Sequence, residues 1–167
     1  MLPRIQIDTD PENMLPATQA DRVFHNLVKQ QFSLHDAIVV GVVNTSDANG
    51  VFNIETLSAL HAISERILAI DGVVRNDVMS LSLADNISQG EAGEIRFSWM
   101  MKDAPTTQTE ADAIRSAVNR LPLLLNTLVS DDGQAAAIYV PIKSKDLSYQ
   151  ISVEIQEIAS EFSNTGD

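Results

Sequence analysis

Asp8 and Asp10, flanking Thr9 directly after the strand-like run Ile5-Gln6-Ile7, are the residues whose type and spacing best suit chemistry. A carboxylate at the end of a strand can attack phosphorus while a second, two residues on, acts as general acid beside a magnesium ion. Pro11 follows them where such a loop wants Gly, and the chain lacks the later strand-end aspartates and paired lysine that would complete the site. As a calcium loop starting at Asp8, the same segment puts Asn13 where Gly is needed and Gln19 where Glu is needed. What remains is an acidic connector that caps the start of the next helix.

The other reactive side chains are isolated. His25, His35 and His61 have no second ligand at helical or hairpin spacing, which argues against a metal or catalytic role. Ser80 and Ser82 lack the Gly-x-Ser-x-Gly elbow that exposes a nucleophile and read as cross-strand polar positions. Gly90 and Gly93 lack the spacing and strand-to-helix setting of a phosphate loop, so no nucleotide is expected. Cysteine is absent, which removes disulfides, thiolate catalysis and zinc ribbons. Phe97, Trp99, Met100 and Met101 differ in kind: the chain's sole Trp stands beside two Met in its least regular stretch. Such side chains give large, adaptable apolar surface, suited to a greasy ligand or a partner subunit; the alternative is that they tuck under the segment as a small core.

Composition narrows the classes. With 167 residues and 44% hydrophobic content, the chain can build one core. A net charge of −12, with 11 scattered Lys and Arg, disfavours nucleic acid and docking on an anionic membrane. No stretch approaches the roughly 20 apolar residues of a membrane helix. No signal peptide is readable, so the chain reads either as cytosolic or as cut from something larger. Glu154, Glu157 and Glu161 read as the solvated face of the last helix.

The elements follow from periodicity. Residues 1–34 hold an N-terminal strand and, over 18–31, a helix with Val23, Phe24, Leu27 and Val28 as its stripe, Phe32 continuing that face. Residues 35–83 read as a βαβ unit. A β-branched strand at 36–44 leads to Asn53 as cap of a helix carrying Leu57, Leu60, Ile63, Ile67 and Ile70, and Asp71-Gly72 ends it before a returning strand over 73–83. Residues 84–126 read as an insertion, irregular apart from a short apolar run at 95–101 and a helix over 108–121 capped by Thr107 or Thr109. In 127–162 the turn Asp131-Asp132-Gly133 joins a short strand near 127–130 to a strand over 134–142, with Ala136, Ile138, Val140 and Ile142 on one face. A helix over 147–162 then carries Ile151, Ile155, Ile158 and Phe162; residues 163–167 read as a tail.

The order of Ile5 to Pro16, Asp36-Ala37-Ile38-Val39-Val40, Val51-Phe52-Asn53-Ile54-Glu55-Thr56-Leu57, Ile70-Asp71-Gly72-Val73 with Ser80-Leu81, Leu128 to Gly133, and Lys143 to Tyr149 resembles the first periplasmic loop of the resistance-nodulation-division (RND) exporters. More narrowly it is similar to the branch that includes the hopanoid and mycobacterial lipid transporters, over residues 4–162. The resemblance implies an α/β (α+β) ferredoxin-like porter subdomain, a mixed sheet with helices on one face, in a bacterial inner-membrane protein. It further implies no enzyme activity and no cofactor, a hydrophobic or lipid-like substrate, and as partners the membrane helices and second periplasmic loop of the same polypeptide. Phe97, Trp99, Met100 and Met101 are then expected on the substrate or partner surface, together with the exposed face of the sheet. Such a subdomain has a further strand after the final helix, so one sheet edge is expected to be open or covered by another segment, with some tendency to form homo-oligomers. Two rivals stand beside this reading: a free-standing ferredoxin-like ligand-binding or regulatory domain, and a haloacid-dehalogenase-type phosphotransferase built on Asp8 and Asp10.

Overall fold

The computed structural model describes residues 14–32 and 34–163, which fall in two compact units, Met1–His35 and Asp36–Asp167. In the first, helix α1 (Ala20–Gln31) forms close to the expected bounds, with Asp21 in its first turn and Lys29 in its last, the arrangement that suits the helix dipole. Its Val23, Phe24 and Leu27 are exposed. The expected strand over 4–10 lies outside the described residues, and Asp8 and Asp10 with it.

The second unit is mixed α+β. In chain order it runs β1 (Asp36–Val43), α2 (Ile54–Ala69), β2 (Asp85–Gln89), β3 (Ile95–Trp99), α3 (Gln108–Asn119), β4 (Ala135–Ile142) and α4 (Ser148–Ser163). β1 and β4 pair antiparallel, from Asp36 opposite Ile142 to Val43 opposite Ala135, and β2 pairs with β3 as a separate ribbon. Alternation decides which side of the main sheet is dry. Ile38, Val40 and Val42 of β1 turn inward with Ala136, Ile138, Val140 and Ile142 of β4, whereas Val39 and Val43 are exposed on the other face.

The inward side chains meet Leu57, Leu60, Ile63 and Ile67 of α2 and Ile151, Ile155 and Ile158 of α4 in one core, to which α3 adds Ala111, Ile114, Ala117 and Val118. Burying each large aliphatic side chain contributes roughly 1.5–3 kcal/mol. α2 and α4 lie against each other, and Arg66 donates to both carboxylate oxygens of Glu161 at 2.6 and 2.8 Å. That pair is solvated and adds little beyond orientation.

The helix boundaries are set locally. Asn53 Oδ1 accepts from the Thr56 N–H at 2.8 Å and starts α2. Past its end Gly72 takes the left-handed φ of +90° that the sequence calls for there. Thr107 and Glu110 form a reciprocal capping box at the start of α3. The Glu110 carboxylate accepts from the Thr106 N–H and hydroxyl and from the Thr107 N–H, and these bonds hold its pKa below the usual glutamate value. A carboxylate whose folded pKa is depressed stabilises the fold above its unfolded value and loses that contribution as pH falls through the folded one. Glu110→Gln keeps the box but not the charge, so its deficit in urea midpoint relative to the native chain is expected to shrink as pH falls below about 4.3. A pH-independent deficit would show that the charge plays no part.

Three expectations are corrected. Residues 73–83 do not form a strand: Val73 bridges Ile142 and Met79 bridges Tyr139, and a 3₁₀ turn at Arg75–Asp77 fills the gap. Residues 74–78 thus span what 140 and 141 span opposite, and Pro141, which has no N–H to give that side, accepts from Val74 at 2.9 Å. The expected hairpin partner at 127–130 likewise reduces to a bridge of Val129 with Ala136, backed by the Ala137 N–H to Leu128 O bond. The far side of β4 is therefore stitched to three short segments in place of one strand. The third correction is the ribbon β2–β3, which lies in the stretch read as irregular apart from its short apolar run.

Candidate functional site

The ribbon carries the most unusual surface of the second unit. Asp85 stands opposite Trp99, Ile87 opposite Phe97 and Gln89 opposite Ile95, and directly opposed residues share a face. One face therefore gathers Ile87, Ile95, Phe97 and Trp99, and all four are exposed, Phe97 by 71% and Trp99 by 55%. The other face is polar, with Asn86, Ser88, Arg96 and Ser98. A two-stranded ribbon is marginal by itself; here its base is tied by the Met100 N–H donating to Ala84 O at 2.8 Å, and its tip by Gly90 N–H to Glu94 O at 2.7 Å. Four large apolar groups held together in water form a patch of the kind that meets a ligand or partner.

The four residues singled out from sequence do not stay together. Met100 and Met101 are 5% and 2% exposed and belong to the core, so they are not part of this surface. Where β3 ends the chain turns inward, and Met100 and Met101 join the core, beside Pro105 and Ile114. Ile87 and Ile95 take their places on the patch. Ile95 was legible from its alternation with Phe97 and Trp99, but Ile87 stands alone among polar neighbours and only the cross-strand register finds it.

The remaining candidates are structural. Ser64, Ser80 and Ser82 are buried in one hydroxyl chain, with Ser64 Oγ donating to Leu60 O at 2.8 Å and lying 3.0 Å from Ser80 Oγ, which is 2.8 Å from Ser82 Oγ. A serine that is closed off and bonded only to other hydroxyls and a carbonyl has no base to activate it. His61 Nε2 lies 3.2 Å from Lys102 O. Among the described residues no group of three His, Cys, Asp or Glu could hold a metal ion. The lowered carboxylate pKa values belong to a turn, a cap and an ion pair between helices: at Asp132 the Ser130 hydroxyl and Gln134 N–H are responsible, at Glu110 the Thr106 and Thr107 bonds, and at Glu161 it is Arg66. Glu110 lines a shallow hollow with Lys102 and Asp103, but its carboxylate is taken up by the Thr106 and Thr107 cap bonds.

A second feature lies at the C-terminal end of β1. There the loop to α2 is wound on its own side chains: Asn44 Oδ1 accepts from the Ser46 and Asp47 N–H groups at 3.1 and 3.0 Å, and Asp47 Oδ1 from Asn49 N–H at 2.7 Å. Arg115 of α3 clamps the loop, donating to Asn49 O with its guanidinium 5.0 Å from the Phe52 ring centre. Beside it a groove of about 640 Å³ runs between β1, α2 and α4, lined by Ala59, Ile63, Ala159 and Phe162 and by Asp47 and Glu55.

No family model matches the sequence, and no curated protein or solved structure matches it. Among the described residues no helix is long and apolar enough to cross a membrane.

Proposed function

We propose that this chain is a non-catalytic binding domain, the first periplasmic loop of an RND-type exporter, that presents the apolar face of β2–β3 to an amphipathic, lipid-like substrate. The exporter setting rests on the order of segments described under the sequence; the chemistry rests on the ribbon. One observation carries the reading: Ile87, Ile95, Phe97 and Trp99 share one exposed face with polar groups behind them. Such a surface takes up acyl chains by removing apolar area from water, at roughly 25 cal/mol per Å². The charge of −12 favours zwitterionic over anionic ligands. Energy coupling belongs to the membrane helices of the same polypeptide, and the second periplasmic loop would complete the substrate path.

Trp99 is the only tryptophan, so its emission reports on the patch directly. Titration with a zwitterionic lysophospholipid below its micellar concentration is expected to shift that emission to the blue with saturation. Ile87→Ser with Phe97→Ser is expected to weaken this at least tenfold, leaving the melting temperature within a few degrees, because both side chains are already in water. An unsaturable response, or the same affinity in the double variant, would reject the ribbon as the site.

A further inference from the structure

The outer edge of β1 pairs with no strand among the described residues. Asn44 N–H donates to Gln134 O at 2.8 Å, and with the register of Asp36 opposite Ile142 this turns the backbone groups of the even-numbered residues of β1 toward β4. Those of Ala37, Val39, Gly41 and Val43 point the other way, and among the described residues no strand pairs there. Edge strands usually carry a lysine, a proline or a bulge that discourages pairing. β1, Asp-Ala-Ile-Val-Val-Gly-Val-Val, has none of these and is charged only at its first residue. The groove of about 640 Å³ flanks the same edge on its helix side. A strand laid along β1 would put alternate side chains into that groove, against Ala59, Ile63, Ala159 and Phe162.

The geometry points to one occupant: an extended segment of a separate polypeptide, antiparallel to β1, with alternating apolar side chains and a Lys or Arg near its N-terminal end. That end lies beside the C-terminal end of β1, where Asp47 of the following loop and Glu55 in the first turn of α2 line the groove. A second copy of this chain fits less well. Antiparallel pairing of two β1 edges brings Asp36 of one copy toward Asp47 and Glu55 of the other, and like charges repel across paired strands. Each copy also carries a net charge of −12. This inference uses neither the ribbon nor the exporter setting.

The probe is an acetylated, amidated peptide of lysine followed by alternating valine and threonine, titrated into the native chain with amide exchange read by NMR. Saturable binding that slows exchange at Val39, Gly41 and Val43 is expected. Replacing the lysine of the probe by glutamate, or the domain's residues by Asp47→Asn with Glu55→Gln, is expected to weaken it several-fold. N-methylation of the peptide amides that face β1 is expected to abolish it. Binding that survives N-methylation, or no saturation at millimolar peptide, overturns the proposal. So does protection of those amides before any peptide is added: light scattering that then gives a dimer identifies a second copy as the occupant, and a monomer identifies the chain's own residues.

Discussion

Gly50→Val is expected to cost about 4 kcal/mol or more and to lower the melting temperature by more than about 10 °C. Gly50 has a φ of +60°, and a Cβ there would lie 2.1 Å from Gly133 O and 2.8 Å from Gly133 C. A left-handed conformation costs an ordinary residue roughly 1–2 kcal/mol, and a β-branched one more. The collision is the larger part, since both atoms it meets are backbone. Gly133, itself at φ +70°, accepts from Val51 N–H at 2.8 Å and so ties the β1–α2 loop to the turn before β4. Driving the two apart pulls the buried Val51 and Phe52 out of register with the core. Gly41→Val is the control: nothing lies within 4 Å of its Cβ position, and it sits in a strand. That change is expected to stay within about 0.5 kcal/mol. Similar urea midpoints for the two variants would mean that the contact between Gly50 and Gly133 is not what fixes the loop.

Ile138→Ala is expected to cost about 3–4 kcal/mol. Ile138 is 0% exposed at the middle of β4, the strand with partners on both sides, and its side chain enters the core covered by α2 and α4. Removing its outer carbons leaves a hole that a sheet fixed by β1 on one side and by Met79 and Val129 on the other cannot close. Val39→Ala, one position along β1 from Val40, the residue opposite Ile138, lies on the exposed face and is expected to cost less than about 1 kcal/mol. Urea unfolding followed by circular dichroism checks both, and a Val39 loss as large as that of Ile138 would place a covering layer on the outer face.

Much of the second unit was legible in the chain because its signals are local. The spacing of Leu57, Leu60, Ile63 and Ile67 dictates a one-sided helix, and Asn53 and Gly72 mark its limits by the bonds and dihedrals that those residue types favour. Alternation from Ala136 to Ile142 assigns a strand and its buried face. Thr107 with Glu110 announces α3 in the same way. For the candidate surface, Phe97 and Trp99 stood out by type alone.

What tertiary structure decided is every feature that depends on a partner distant in sequence. Residues 73–83 have the composition of a strand, but Pro141 and the turn at Arg75–Asp77 leave β4 only two bridges to them. Asp85-Asn86-Ile87-Ser88-Gln89 reads as a loop and becomes β2 because β3 supplies hydrogen bonds that its own side chains do not encode. Trp99 and Met100 are neighbours in sequence, yet one is in water and the other in the core, since successive residues leaving a strand point to opposite sides. Which side is wet depends on what packs there, and that is a property of the assembled fold.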